Sequence, residues 1–292
     1  MKKNKKNLNV ILSMILCALL LCSGFHVCSA VEVKADSAGI TGFLKNNKTY
    51  KYDLNGDKKK EKIKLRVTKR NYYINASFYV NGKKIWTMSE KEQWEYVGYK
   101  IIKLSNGKRF IYFFAEGPNP GISSHRILQY KKGRMKTVAN ITDLFKKYQG
   151  ASMISWYPAS ENGITVLGKE IKVYFDSMNF TTSTMTYIVS YKYKNGTLVR
   201  SHNYGKFSKG SSSKVFTVAK SFNTYRKVGS LSRAFRTKTG ERVTIDRYYL
   251  KKGNLYIRIR RSNGQKGWIK CLTYSHGGLG KSPLFTNAHY VN

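Results

Sequence analysis

Thr239-Gly240-Glu241-Arg242-Val243-Thr244-Ile245, then Tyr256-Ile257-Arg258-Ile259-Arg260, then Gly267-Trp268-Ile269-Lys270 is the stretch whose reading decides the fold. Val243 and Ile245 alternate with polar residues, as do Ile257 and Ile259, which is the period of a half-buried strand. Lys252-Gly253-Asn254 marks a turn between the first two runs. Ser262-Asn263-Gly264-Gln265 marks another, because Asn-Gly readily takes the positive φ angles of a type I′ turn. The three runs predict an antiparallel meander, with Arg258 and Arg260 on one face and Ile257 and Ile259 on the other.

With the closing Gly267-Trp268-Ile269, these residues resemble the core of a bacterial SH3-like domain over residues 214–275. The resemblance implies a small SH3-like barrel. It also implies peptidoglycan binding, the common role of such domains in secreted bacterial proteins. Sugar rings and D-alanine methyls pack on aromatic faces, and arginines pair with carboxylates and phosphates. Tyr248 and Tyr249, just before a turn, are therefore the candidate groove residues, with Arg247, Arg258 and Arg260 as anion contacts. Trp268, between Gly267 and Ile269 in the closing strand, is expected in the core. Leu284-Phe285 is expected to dock the tail back on the barrel.

Residues 1–35 read as a secretory signal. Lys2, Lys3, Lys5 and Lys6 precede a short apolar run from Val10 to Leu21, and small residues offer cleavage after Ala30 or Ala35. Cleavage at the latter removes Cys17, Cys22 and Cys28 and leaves Cys271 alone, so an internal disulfide is excluded and the core must supply stability. The expected location is outside a Gram-positive cell, secreted or wall-associated. The formal net charge of +39 draws in polyanions, of which teichoic acid and the wall are the nearest there. Nucleic acid is a competing partner through charge only.

Residues 36–209 read as a β-rich domain of antiparallel meanders, either a partial propeller-like stack or a β-sandwich. Asn81-Gly82, Asn106-Gly107 and Asn195-Gly196 mark hairpins, as does Lys132-Gly133. Phe110-Ile111-Tyr112-Phe113-Phe114 is apolar without alternation and is expected to be buried on both faces. One helix is expected from Thr142 to Tyr148, ended by Gly150. Phe207-Ser208-Lys209-Gly210-Ser211-Ser212-Ser213-Lys214 reads as the linker to an SH3-like domain at 210–292.

Asp53, Asn55, Asp57 and Glu61 place oxygen side chains at positions 1, 3, 5 and 9 of a loop, a spacing that wraps a hard cation. The run resembles the calcium loops of FG-GAP/VCBS-type repeats, which implies Ca2+ as a cofactor. Lys58 stands where that pattern has glycine.

No catalytic set emerges. Cys271 with His276 or His289 invites comparison with papain-like peptidases, yet only a short tail follows Cys271, so an inert thiol is expected. His125 and His202 have no companions at ligand spacing, which leaves zinc without support. Glu116 and Asp176 could serve as paired carboxylates only if folding joins them. The expectation is a non-catalytic wall-binding protein. The alternative is a secreted wall-acting enzyme or toxin with its active site in the β-rich domain.

Overall fold

Period-two alternation sets nearly every element, and the chain is mostly β with antiparallel pairing. The structure, a computed structural model, describes residues 31–32, 38–70, 73–90, 94–117, 123–146, 153–158, 163–251, 253–273 and 283–288. Apart from Val31 and Glu32, the expected leader lies outside the described residues, as do His276 and His289.

Three short strands come first: β1 (Val31–Glu32), β2 (Gly39–Ile40) and β3 (Leu44–Lys45). A four-strand meander follows, β4 (Thr49–Tyr52), β5 (Glu61–Arg70), β6 (Tyr73–Val80) and β7 (Lys83–Glu90), with β1 added beside β4 in parallel. A second meander comprises β8 (Tyr96–Lys103), β9 (Arg109–Glu116), β10 (Ser123–Lys131) and β11 (Arg134–Asn140), and β2 and β3 pair with β8. The expected hairpin tips are in place. Asn81 and Gly82, Lys132 and Gly133, and Asn195 and Gly196 all take positive φ, the geometry that matches the right-handed twist of the flanking strands.

The second sheet is the middle layer. From Phe110 to Ala115 all six side chains are buried, as the unbroken apolar run requires. Ile111, Phe113 and Ala115 point into one core with Leu65, Phe78 and Tyr99. Phe110, Tyr112 and Phe114 point into the other with Val173, Tyr187 and Ile245. The helix, α1, runs from Ile141 to Lys146, one residue earlier than the sequence places its start.

The third sheet holds β12 (Met153–Pro158), β13 (Ile164–Leu167), β14 (Glu170–Asn179), β15 (Ser183–Lys194), β16 (Thr197–Arg200) and β17 (Tyr204–Phe207). It continues, past a helical turn α2 (Lys209–Ser212), into β18 (Val215–Thr217), β19 (Asn223–Tyr225), β20 (Arg233–Arg236), β21 (Arg242–Lys251), β22 (Asn254–Arg261) and β23 (Lys266–Lys270). The expected meander β21-β22-β23 is present in register.

Two expectations change here. Among the described residues the carboxy-terminal strands do not close into a barrel, because one edge of β21 is taken by β18 at its start and by β17 at its end. Strand β17 also pairs with β15, so the ladder crosses the position expected to separate two domains. The serine-rich stretch there is structured: Ser208 caps α2 by accepting from Ser211 N–H, and the buried Ser211 hydroxyl accepts from Thr186 N–H at 2.8 Å. Tyr248 packs against Tyr187 and Phe207, with ring centroids 5.0 and 5.5 Å away, so the apolar core is also continuous. Phe285 docks as expected, against Phe216 and Phe222.

Candidate functional site: an aromatic and cationic sheet face

Strand β21 carries a bulge between Ile245 and Arg247. A bulge inserts one residue and resets which side chains face outward. Val243 and Ile245 point inward before it, Tyr248 and Leu250 after it, so Arg247 and Tyr249 turn out. The antiparallel register then lines up two rows across the outer face. Lys206, Arg247, Arg258, Trp268 and Tyr225 form one. Tyr204, Tyr249, Tyr256 and Lys270 form the other.

Between these rows and the β19–β20 loop lies a groove of about 400 Å3. Its walls are the aromatic Tyr204, Tyr249 and Trp268, with Val228, and the cationic Arg226, Lys227, Arg247 and Lys251. Among the described residues no carboxylate lines it. Tyr204 is half exposed, and Tyr249 meets Trp268 edge to face at 6.4 Å. Arg258 lies beneath, its guanidinium 5.7 Å from the Trp268 ring centroid and forked onto Asp246 at 2.8 and 2.7 Å.

The expected contacts divide three ways. Arg247 and Tyr249 line the groove, and Arg258 supports its floor. Tyr248 does not reach it: the ring is buried, and its hydroxyl donates to Ile188 C=O at 2.7 Å. Arg260 is exposed at a different cleft, beside Glu241, Arg242 and Arg261. Trp268, expected in the core, is only partly buried and forms a groove wall, since its neighbours Gly267 and Ile269 take the inward positions. Tyr204, Arg226 and Lys227 escaped the sequence reading. Tyr204 lies outside the stretch read as the small domain, although its neighbour Phe207 marks the inward phase of the strand.

No protein-family model, no curated protein and no solved structure matches the chain.

The Asp53–Glu61 loop folds tightly around its own side chains. Asp53 accepts from Gly56 and Lys58 N–H at 2.6 and 3.1 Å, and Lys58 takes φ +68°, the conformation the calcium-loop pattern assigns to glycine. The Asn55 amide nitrogen donates to Asp57 and Glu61 at 2.9 and 3.0 Å, and Arg109 pairs with Asp53 at 3.0 Å. Hydrogen bonds from Lys59 N–H and Asn55 hold the Asp57 carboxyl below the usual range, while burial pushes Glu61 above it. Among the described residues no three His, Cys, Asp or Glu side chains converge as a metal-holding group. The oxygen donor set suits a hard cation, but one entering here has to displace the Asn55 nitrogen and the Arg109 guanidinium.

The candidate catalytic groups remain apart. Glu116, in the middle sheet, stands 3.9 Å from His125, and Asp176, in the third sheet, accepts from the Thr186 hydroxyl at 2.6 Å. His125 is buried against the Tyr112 hydroxyl at 2.6 Å, and that burial lowers its pKa to about 4. Cys271 is buried, which raises its thiol to about 12.

Proposed function

We propose that this chain is an exported, non-catalytic surface protein whose aromatic and cationic groove binds peptidoglycan or an anionic wall polymer. One observation carries the reading: among the described residues three aromatic walls and four cations converge on a single groove without a lining carboxylate. Lys206 and Arg247 stand opposite each other on adjacent strands and repel, so the face favours an anionic occupant, while Arg258 beside them is offset by Asp246. The rings supply flat apolar area for sugars, while Arg226 and Arg247 match carboxylate or phosphate oxygens. The sequence resemblance of residues 214–275 to SH3-like domains and the signal-like character of residues 1–35 support the same reading.

Retention by purified peptidoglycan, with and without its teichoic acid, tests it. Retention on stripped peptidoglycan at moderate salt is the expected outcome, because ring stacking survives screening. Retention only with teichoic acid reduces the groove to an ionic surface, and passage through both sinks the proposal.

Calcium at Asp53, Asn55, Asp57 and Glu61 is the second part of the proposal. There the ion's role is structural, neutralising the carboxylates that enter β5.

A further inference from the structure

A second basic cleft lies far from the groove in sequence, at the seam between the middle and third sheets. It measures about 530 Å3, and the β10–β11 hairpin forms its cationic wall with Lys131, Lys132, Arg134 and Lys136. The opposite wall is Tyr193 and the turn at Gly196. Two hydrogen bonds join the walls: Tyr193 donates to Gln129 at 2.9 Å, and the Thr197 hydroxyl donates to Val138 C=O at 3.3 Å.

The register concentrates charge on the face toward the seam. Lys131 is opposite Arg134 and Gln129 is opposite Lys136, so both strands present cations on the side shared with Val138. Like charges directly opposed across an antiparallel pair destabilise it. None of the four cations has an ion-pair partner among the described residues, and no carboxylate lines the cleft. Alternate residues on a strand stand roughly 7 Å apart. Arg134 and Lys136 therefore form a short charged track rather than a pocket for one ion.

We propose that this cleft is a second anion site, taking consecutive phosphates of a base-free phosphodiester chain of the polyol-phosphate kind. The one aromatic wall decides against nucleic acid. Lys108 Nζ lies 4.7 Å from the Tyr193 ring centroid and Phe110 packs at 5.1 Å, so the ring is already engaged and offers a base little stacking area. The inference does not rest on the groove.

Calorimetric titration of the full chain with soluble poly(glycerol phosphate), over a range of salt, tests it without any wall material. K131Q/R134Q/K136Q is expected to weaken binding at least about tenfold and to flatten the slope of log affinity against log salt by about two. The control K62Q/K83Q/K84Q removes the same charge from the first sheet and is expected to change affinity less than about threefold. All six positions are exposed, and thermal melts verify folding. An unchanged slope in the cleft variant overturns the site, and equal losses in both variants reduce it to the overall field. Tighter binding of a single-stranded oligonucleotide of equal charge overturns the ligand class. Failure of the unmodified chain on stripped peptidoglycan sinks the groove reading and leaves this one standing.

Discussion

Arg258 holds Asp246 through both Nε and Nη2 while its guanidinium lies against the face of Trp268. Asp246 is the bulge residue, so this fork pins the irregularity that turns Arg247 and Tyr249 outward. Arg258→Ala leaves the partly buried carboxylate without its fork and is expected to cost about 1–3 kcal/mol. Arg258→Lys recovers only part, because an ammonium cannot form the parallel pair. Denaturant melts measure both, and a loss below about 0.5 kcal/mol removes the fork from the account of the groove.

Trp268→Ala and Arg247→Gln should weaken wall binding by different routes. Loss of the ring is expected to cost about 0.5–1.5 kcal/mol, at low and high salt alike. The Arg247 loss should fade as salt rises, since screening removes what the charge contributed. Binding isotherms at two salt concentrations separate them, and identical salt behaviour counts against division of labour in the groove.

His125 predicts an acid-sensitive fold. Its native pKa of about 4 lies below the ordinary 6.5, so the unfolded chain takes up a proton first as pH falls. The stability is fully present above about pH 6.5 and is lost between there and about pH 4, to a total of about 3 kcal/mol. In His125→Gln the melting temperature should vary less across that window, and an equal slope in both proteins assigns the effect elsewhere.

The carboxy-terminal region should not fold when cut from the rest. A fragment of residues 210–292 lacks β17, leaves residues 247–249 of β21 unpaired on one edge and exposes Tyr248, which Tyr187 and Phe207 cover in the whole chain. Circular dichroism on heating is expected to show no cooperative transition. A sharp melt near that of the full chain restores the independent domain.

Calcium should raise the melting temperature of the intact protein, and Asp57→Asn should diminish the rise. Titration calorimetry without heat removes the ion and leaves Asn55 and Arg109 as the partners that close the loop.

Much of the architecture is legible in the sequence because its devices are local. Asn81-Gly82 and Asn195-Gly196 announce their turns, and the unbroken run from Phe110 announces a strand between two cores. The site is less legible. Extending the Val243–Ile245 alternation sends Arg247 and Tyr249 inward; only the bulge at Asp246 reverses this, and nothing in its neighbours signals it. Trp268 was readable from its neighbour Ile269, whose inward position leaves the indole the outer face. The supposed linker misleads because glycine and serine suit a flexible tether and a capped helical turn equally well. What decides is Thr186, distant in sequence, whose N–H finds the Ser211 hydroxyl.

The strand from Phe110 to Ala115 has no wet side. Each exchange in that segment must therefore suit two interiors at once, whereas a hairpin tip answers only to solvent and to its own turn. Lys132-Gly133 is one such tip, so the charged wall of the seam stands on the part of the chain that tolerates substitution at the least cost to either core.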